Sequence, residues 1–311
     1  MIEDIVTLIS LSLTTMTPLL LASTGEILTE KSGIVNIGLE GIMVLGAITS
    51  AVVSNITGNP YVAILVAMFI GLSIGLVMGY LSAYLHANQI VIGIGINGLA
   101  IGIATLILYR VWGEYGGTPT VSKIMEIQVW IASTILSIKP ITIGAVIVSI
   151  TSWYILEKTN LGLRIRACGE NPHAAEAMGI DVNLYRLTLT GIGGLYTGLA
   201  GAFMVVNWVG FFSREMVAGR GFVALANVAF SNWNPLLAIL GAFIFGFFEA
   251  FATFLSLKVQ QFPLPEYLSF LRTTGQNLFG AFPYIATLLT VIVIMKKVRI
   301  PRALGKPYVK E

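Results

Sequence analysis

Several polar residues stand inside apolar stretches where hydrocarbon-facing side chains would be expected. Glu40 lies in SGIVNIGLEGIMVLGA, residues 32–47, with Asn36 four residues before it, so a helix there would carry both on one face. Glu249 lies in a second apolar stretch, and Asn97 follows Gln89 in a third. A carboxylate in hydrocarbon must face a polar partner, a cavity or the membrane boundary. Such groups can couple ions, recognise a solute, or simply hydrogen-bond the ends of neighbouring helices. For Glu249 and Asn97 the structural alternatives are an ordinary buried pairing and an interhelical hydrogen bond. Patterns that would imply covalent chemistry do not survive inspection. Gly71-Leu72-Ser73-Ile74-Gly75 fits a hydrolase's G-x-S-x-G, but a serine nucleophile needs a histidine within hydrogen-bond reach. His86 is roughly 20 Å further along the same predicted helix, and His173 falls in a polar loop. Gly93, Gly95 and Gly98 fit G-x-G-x-x-G in mid-span, without the strand that a dinucleotide site requires. Gly305-Lys306 has Ile300 where a P-loop needs its first glycine. Cys168 is the only cysteine, which excludes an intrachain disulfide and a cysteine zinc site. No catalytic residue, metal ligand or cofactor site is expected.

The elements that position these residues follow from composition. Of 311 residues, 56% are hydrophobic and 11% charged, and the mean hydropathy is +0.86, where soluble domains carry roughly a quarter charged residues. Between Glu40 and Arg110 there is no Asp, Glu, Lys or Arg, and a membrane-spanning helix needs about 20 apolar residues. A soluble enzyme is excluded, and nothing suggests nucleic-acid binding. The fold class is all-α and polytopic, with spans predicted near 5–25, 34–53, 61–85, 90–112, 141–157, 184–209, 217–231, 236–257 and 280–296, nine in number give or take one. Glu3 and Asp4 precede the first apolar run, and no Lys or Arg appears before Lys31, so that run is expected to remain as a span. Loop 158–183 carries Lys158, Arg164 and Arg166, with Arg186 just beyond, and tail 296–311 is also basic. Both are expected in the cytoplasm. Four predicted spans separate them, an even number, and counting back five spans from residue 157 puts the acidic N-terminus outside. No linker divides the chain, so residues 1–311 read as one membrane domain.

Two spans are too interrupted to be simple lipid-facing helices: 32–47 and GRGFVALANVAFSNWNP, residues 219–235. Broken hydrophobic segments in corresponding places of two halves point to a transporter's pathway. A loose repeat joins them, a Gly-led short segment followed by a helix with a Leu-Gly-Ala step at 45–47 and again at 240–242. Gly71, Gly75 and Gly79, Gly98 and Gly102, and Gly194, Gly198 and Gly201 are spaced to let helix backbones approach. In the loop LGLRIRACGENPHAAEAMGIDVN, residues 161–183, Asn171-Pro172 can start a short helix that Gly179 ends. Its plain alternative is a solvated connector.

Residues 169–180, G-E-N-P-x-A-A-E-A-M-G-I, resemble the coupling-loop signature of ABC importer permeases. SGIVNIGLEGIMVLGA, ANQIVIGIGIN at 87–97 and GRGFVALANVAFSNWNPLLAILGA at 219–242 are similar to segments of the nucleoside branch of that family. That branch is related to the ribose-type and branched-chain amino acid permeases, and the similarity runs over roughly 15–295. The resemblance implies a multi-pass permease of the cell membrane that does not itself hydrolyse ATP. It implies partner ATP-binding subunits, a second permease chain, identical or homologous, and an extracytoplasmic solute-binding lipoprotein. It makes Glu170, Asn171, Ala174, Ala175 and Gly179 the contacts to the ATPase. Asn36, Glu40, Asn97 and Asn227, with Trp233 nearby, become candidates for lining or supporting the solute pathway, although such motifs also hold helices together. Asn232 departs from the family pattern, standing where a basic or small residue is expected. Nucleosides are the implied solute; branched-chain amino acids or ribose-type sugars are the alternative, and an ion-coupled secondary transporter using Glu40 or Glu249 is the competing class.

Overall fold

A computed structural model of the chain describes residues 2–131, 134–261, 285 and 299–309. In chain order come α1 (Ile2–Lys31), α2 (Leu39–Thr57), α3 (Pro60–Ala83) and α4 (Gln89–Trp112), then a hairpin of β1 (Ile127–Ile131) and β2 (Thr134–Ile138). There follow α5 (Pro140–Lys158), α6 (Asn160–Glu170), α7 (Pro172–Ala177), α8 (Val182–Phe203) extended by a π-helical turn (Met204–Val209), α9 (Arg220–Phe230) and α10 (Pro235–Gln261). Among the described residues seven helices are long and apolar enough to cross a membrane: α1 to α5, α8 and α10. Seven of the nine expected spans are thus matched among the described residues. The span expected at 217–231 contracts to the 11 residues of α9, only about 16 Å of helix, and the one expected at 280–296 lies outside the described residues.

Starts and stops follow local chemistry. Asn59 caps α3 with Pro60 in its first turn, Asn88 caps α4 and Asp181 caps α8, each side chain accepting from backbone N–H groups that the helix cannot use. α1 ends at Gly33, whose φ of 104° only glycine adopts readily. Residues 32–38 then run unwound before α2. Asn36 is therefore not on a helix face with Glu40, as the spacing predicts. Its Oδ1 instead accepts from Gly38 N at 2.9 Å, a local bond that competes with helix formation. The proposed repeat is correspondingly imperfect, since its first short segment is this unwound stretch and its second is α9.

The core is built on α1 and α8. On α1, Leu19, Leu20, Leu21, Ala22 and Ile27 are fully buried, and hydroxyl pairs Thr17–Thr142 and Thr24–Ser149, each 2.7 Å, join it to α5. α8 lies antiparallel on α3 along the expected glycine ladder: Gly71 abuts Gly194 and Gly198, Gly75 abuts Thr190 and Gly191, and Gly79 abuts Leu187. Gly98 and Gly102 differ from expectation. Among the described residues they meet nothing within 4 Å, because α4 stands at the edge of the described bundle with most of its surface outward.

Loops sort to two ends. At one, Ala303 N donates to Gly169 O at 2.9 Å, so segment 299–309 and the loop around α6 and α7 share a side, as their basic residues predict. At the other, Thr118 N donates to Phe212 O and Val121 N to Gly210 O. From Phe212 the chain returns to the first end by Trp233, which meets Glu30. This passage is part loop and part α9, since α9 alone cannot span. The β-hairpin, in the stretch between the spans predicted at 90–112 and 141–157, packs beside α1 where Ser10 Oγ donates to Ser137 O at 2.8 Å. At its base Lys139 pairs with Glu126 and holds that carboxyl below the usual range.

Candidate functional site

The two broken elements meet, and carboxylates and carboxamides stitch their ends. Gly38 and Gly219 stand at the N-caps of α2 and α9 and offer no side chain. The missing acceptors come from elsewhere in the chain. Asn97 Oδ1 accepts from Gly41 N at 2.8 Å in the first turn of α2, and its Nδ2 donates to Ile37 O at 3.1 Å. Glu40 Oε1 and Oε2 accept from Gly219 N at 2.7 Å and Gly221 N at 2.8 Å, capping α9. A carboxylate there compensates the positive end of the helix dipole. Glu40 thus takes the structural alternative considered from its sequence position, bonding to the end of a neighbouring helix.

The unwound segment is held on both flanks. Glu26 Oε1 accepts from Asn36 N at 2.7 Å, and Gln89 Oε1 accepts from Val35 N at 2.8 Å. Past α9, Asn227 Nδ2 donates to Ser23 Oγ and to Ala238 O, and Trp233 Nε1 donates to Glu30 Oε2 at 2.5 Å. Asn232 and Trp233 both adopt positive φ, 50° and 56°. That conformation suits asparagine and accounts for Asn232 where a basic or small residue was expected. Asn36, Glu40 and Asn97 thus gather around residues 35–41, while Asn227 and Trp233 are tied to α1 through Ser23 and Glu30, on the face that also carries Glu26. Among the described residues Asn36 Nδ2 and Asn227 Oδ1 are buried without a hydrogen-bond partner, so polar capacity remains at this centre.

Sequence reading missed Glu26 and Glu30 by ending the first span at residue 25. Their one-turn spacing within the continuing apolar run of Ile27 and Leu28 was the available signal. It also missed Arg186, counted as a cytoplasmic basic residue but 1% exposed, and Tyr308, 4% exposed. Glu249 pairs with Arg220, whose guanidinium lies 5.0 Å from the centroid of the Trp208 ring. Ser73 Oγ bonds its own helix at Phe69 O.

The second centre is at the basic end. Asn171 caps α7 through Ala174 N at 3.1 Å, Pro172 occupies its first turn, and Gly179 turns the chain out at φ 79°. With α6 it forms an open groove of about 630 Å³ lined by Glu170, Asn171, Ala174, Ala175 and Gly179. All five residues singled out from the loop therefore share one concavity. They are not equivalent: Ala175 is 2% exposed and packs inward with Cys168, Val182 and Tyr308, whereas Ala174 is exposed and Met178, also in the lining, is 82% exposed. Burial pushes the Cys168 thiol up to about 11.

Half-length and interrupted helices stitched across a polar centre, inside a bundle of membrane-crossing helices, define a membrane transport protein. The chain belongs to the family described as the permease component of the branched-chain amino acid transport system, whose pattern it matches over residues 8–295. It is an integral membrane protein, a transport subunit rather than an enzyme. It is 31% identical to the guanosine ABC transporter permease protein NupQ of Bacillus subtilis, with 99% of each chain covered. It is 32% identical to the nucleoside ABC transporter permease protein NupC of Lactococcus lactis, with 94% of each covered. No solved structure matches the chain.

Proposed function

We propose that this chain is the membrane-spanning permease subunit of an ATP-driven ABC importer for nucleosides. It works beside a second permease chain, two ATP-hydrolysing subunits and an extracytoplasmic solute-binding lipoprotein. The observation that carries the solute assignment is the near full-length similarity to permeases named for guanosine and for nucleosides. The α6–α7 groove is the ATPase docking surface: ATP binding closes the ATPase pair, α7 moves with it, and the interrupted helices tilt to switch access. Residues 35–41 and α9 form the moving centre, with Glu40 and Asn97 keeping the helix ends satisfied and Asn36, Asn227 and Trp233 supporting the pathway. Carboxamides suit a neutral sugar or base because they bind it without burying a charge.

The test is uptake into proteoliposomes holding the permease, its ATPase and its binding protein. ATP-dependent accumulation of guanosine or another nucleoside, with leucine and ribose ignored, is the expected result. Import of leucine or ribose in place of nucleosides would overturn the solute and keep the transporter class. Ion-driven uptake by this chain without ATPase would overturn the class itself.

A further inference from the structure

Segment 299–309 crosses the end of the bundle in a course that touches both centres. Ala303 N bonds Gly169 O at the end of α6, and Gly305 N bonds Gly33 O at 3.0 Å, at the glycine where α1 ends. Lys306 O accepts from Arg186 Nη1 at 3.2 Å, while Arg186 Nε donates to Ser32 O at 3.1 Å. One buried guanidinium of α8 therefore holds the start of the unwound stretch and the crossing segment together. Arginine's rigid fork suits this double attachment, which a lysine cannot reproduce. Two residues further on, Tyr308 is driven into the back of α7. Its hydroxyl bonds the Glu176 carboxylate, its ring meets His173 edge to face at 5.2 Å, and the Arg186 guanidinium lies 5.9 Å from its centre. Cys168, Ala175 and Val182 close around it.

The contacts form a continuous path from α7 through Tyr308 and Lys306 to Arg186 and Gly33. From there the unwound stretch leads to Glu26, Gln89 and Asn97. Tyr308 and Arg186 on the first part of this path are buried and hydrogen-bonded, and Lys306 joins through its backbone carbonyl, so a displacement of α7 has little slack to be lost in. Gly33 sits where the backbone turns out of α1 with φ of 104°, the kind of position that absorbs a hinge rotation.

We infer that segment 299–309 is a mechanical tie that makes the docking helix move together with the break between α1 and α2, with Arg186 and Tyr308 as its positioning residues. The inference rests on the α6–α7 groove being the ATPase docking surface. It assigns a role to a segment that touches neither solute nor nucleotide.

The experiment compares wild type with Tyr308→Phe, Tyr308→Ala and Arg186→Lys in the full complex, reconstituted with its ATPase and binding protein. Recovery of the ATPase with the tagged permease, ATP hydrolysis, and guanosine uptake are read in parallel. Release of the tie is followed by maleimide labelling of Cys168, the only cysteine, which Tyr308 covers. The expected result is normal ATPase recovery and hydrolysis within about twofold of wild type, with Tyr308→Ala losing about tenfold in guanosine moved per ATP, the size of a typical coupling between sites. Tyr308→Phe, which keeps the ring and loses only the bond to Glu176, falls between the two. Unchanged uptake per ATP in a Tyr308→Ala protein whose Cys168 has become reactive would overturn the tie, as would hydrolysis and uptake falling in proportion. Failure to recover the ATPase even with wild type would instead refute the docking surface, and the tie with it.

Discussion

Glu40 and Asn97 each satisfy a helix that is not their own, and this sets what their substitution should do. Glu40→Ala leaves the N–H groups of Gly219 and Gly221 unpaired, a loss of about 1–3 kcal/mol per group where water cannot replace the acceptor. Glu40→Gln keeps one acceptor oxygen. We expect the melting temperature of the detergent-solubilised protein to fall clearly for Glu40→Ala and by about half as much for Glu40→Gln; equal falls would mean that the charge matters and the acceptors do not. Cys168 gives a second test. With its thiol pushed up to about 11 by burial, maleimide labelling of the folded protein should stay slow at neutral pH and even near pH 9, where a free thiol, at about 8.5, is mostly ionised. Rapid labelling of the native protein would contradict the packing of Tyr308 over it. The sequence disclosed that Glu40 and Asn97 must find polar partners, but not which helix ends would supply them. Those ends come from residues 179 to 181 positions away for Glu40, and no local pattern reports such a contact. Arg186 was hidden for a related reason: an arginine beside a basic loop reads as a topology signal, and only its bonds to Ser32 and Lys306 make it a buried structural residue.

At the scale of elements, the glycine spacing showed that α3 and α8 each carry a close-packing stripe, while their mutual contact required the fold. The stripe makes a graded prediction. A methyl on Gly194 would meet the backbone of Gly71 and Gly75, which cannot swing aside, whereas one on Gly191 meets the side chains of Leu76 and Leu72. Gly194→Ala should therefore destabilise by about 1–3 kcal/mol and Gly191→Ala by less. Gly98→Ala, with open space around it, should be neutral or slightly stabilising within the chain, since alanine favours helix by about 1 kcal/mol. Thermal unfolding of the three variants checks the order, and a Gly98→Ala penalty as large as that of Gly194→Ala would contradict the packing. The start of α7 at Asn171-Pro172 is legible because capping is local chemistry, and in the structure Asn59, Asn88 and Asp181 cap their helices in the same way. The shortness of α9 was half readable: its glycines and Pro235 marked an interruption, but a window about 20 residues wide cannot distinguish a half-helix joined to a loop from a full span. The β-hairpin escaped because its strands are five residues each, too short to register in a search for membrane-length runs.

For the whole molecule, one bundle has a polar, interrupted centre and a structured end where α6, α7 and segment 299–309 interlock. In the proposed function the interrupted helices are the rearrangeable core, the glycine ladder between α3 and α8 is the frame, and the groove at the basic end is where the ATPase acts. Energy supplied at that end by a separate ATPase is the central claim, and it is tested most directly at the exposed residues of the groove. Ala175 and Gly179 are poor choices, the first buried and the second at φ 79°, because either substitution would disturb the chain's own fold. Ala174 and Met178 project from the same surface. The decisive measurement is co-purification of the cognate ATP-binding subunit with tagged permease from detergent-solubilised membranes, comparing wild type with an Ala174→Arg and Met178→Arg double variant of unchanged melting temperature. The account predicts that wild type retains the ATPase and the variant loses it; equal retention by both, or no ATPase with either, would contradict it.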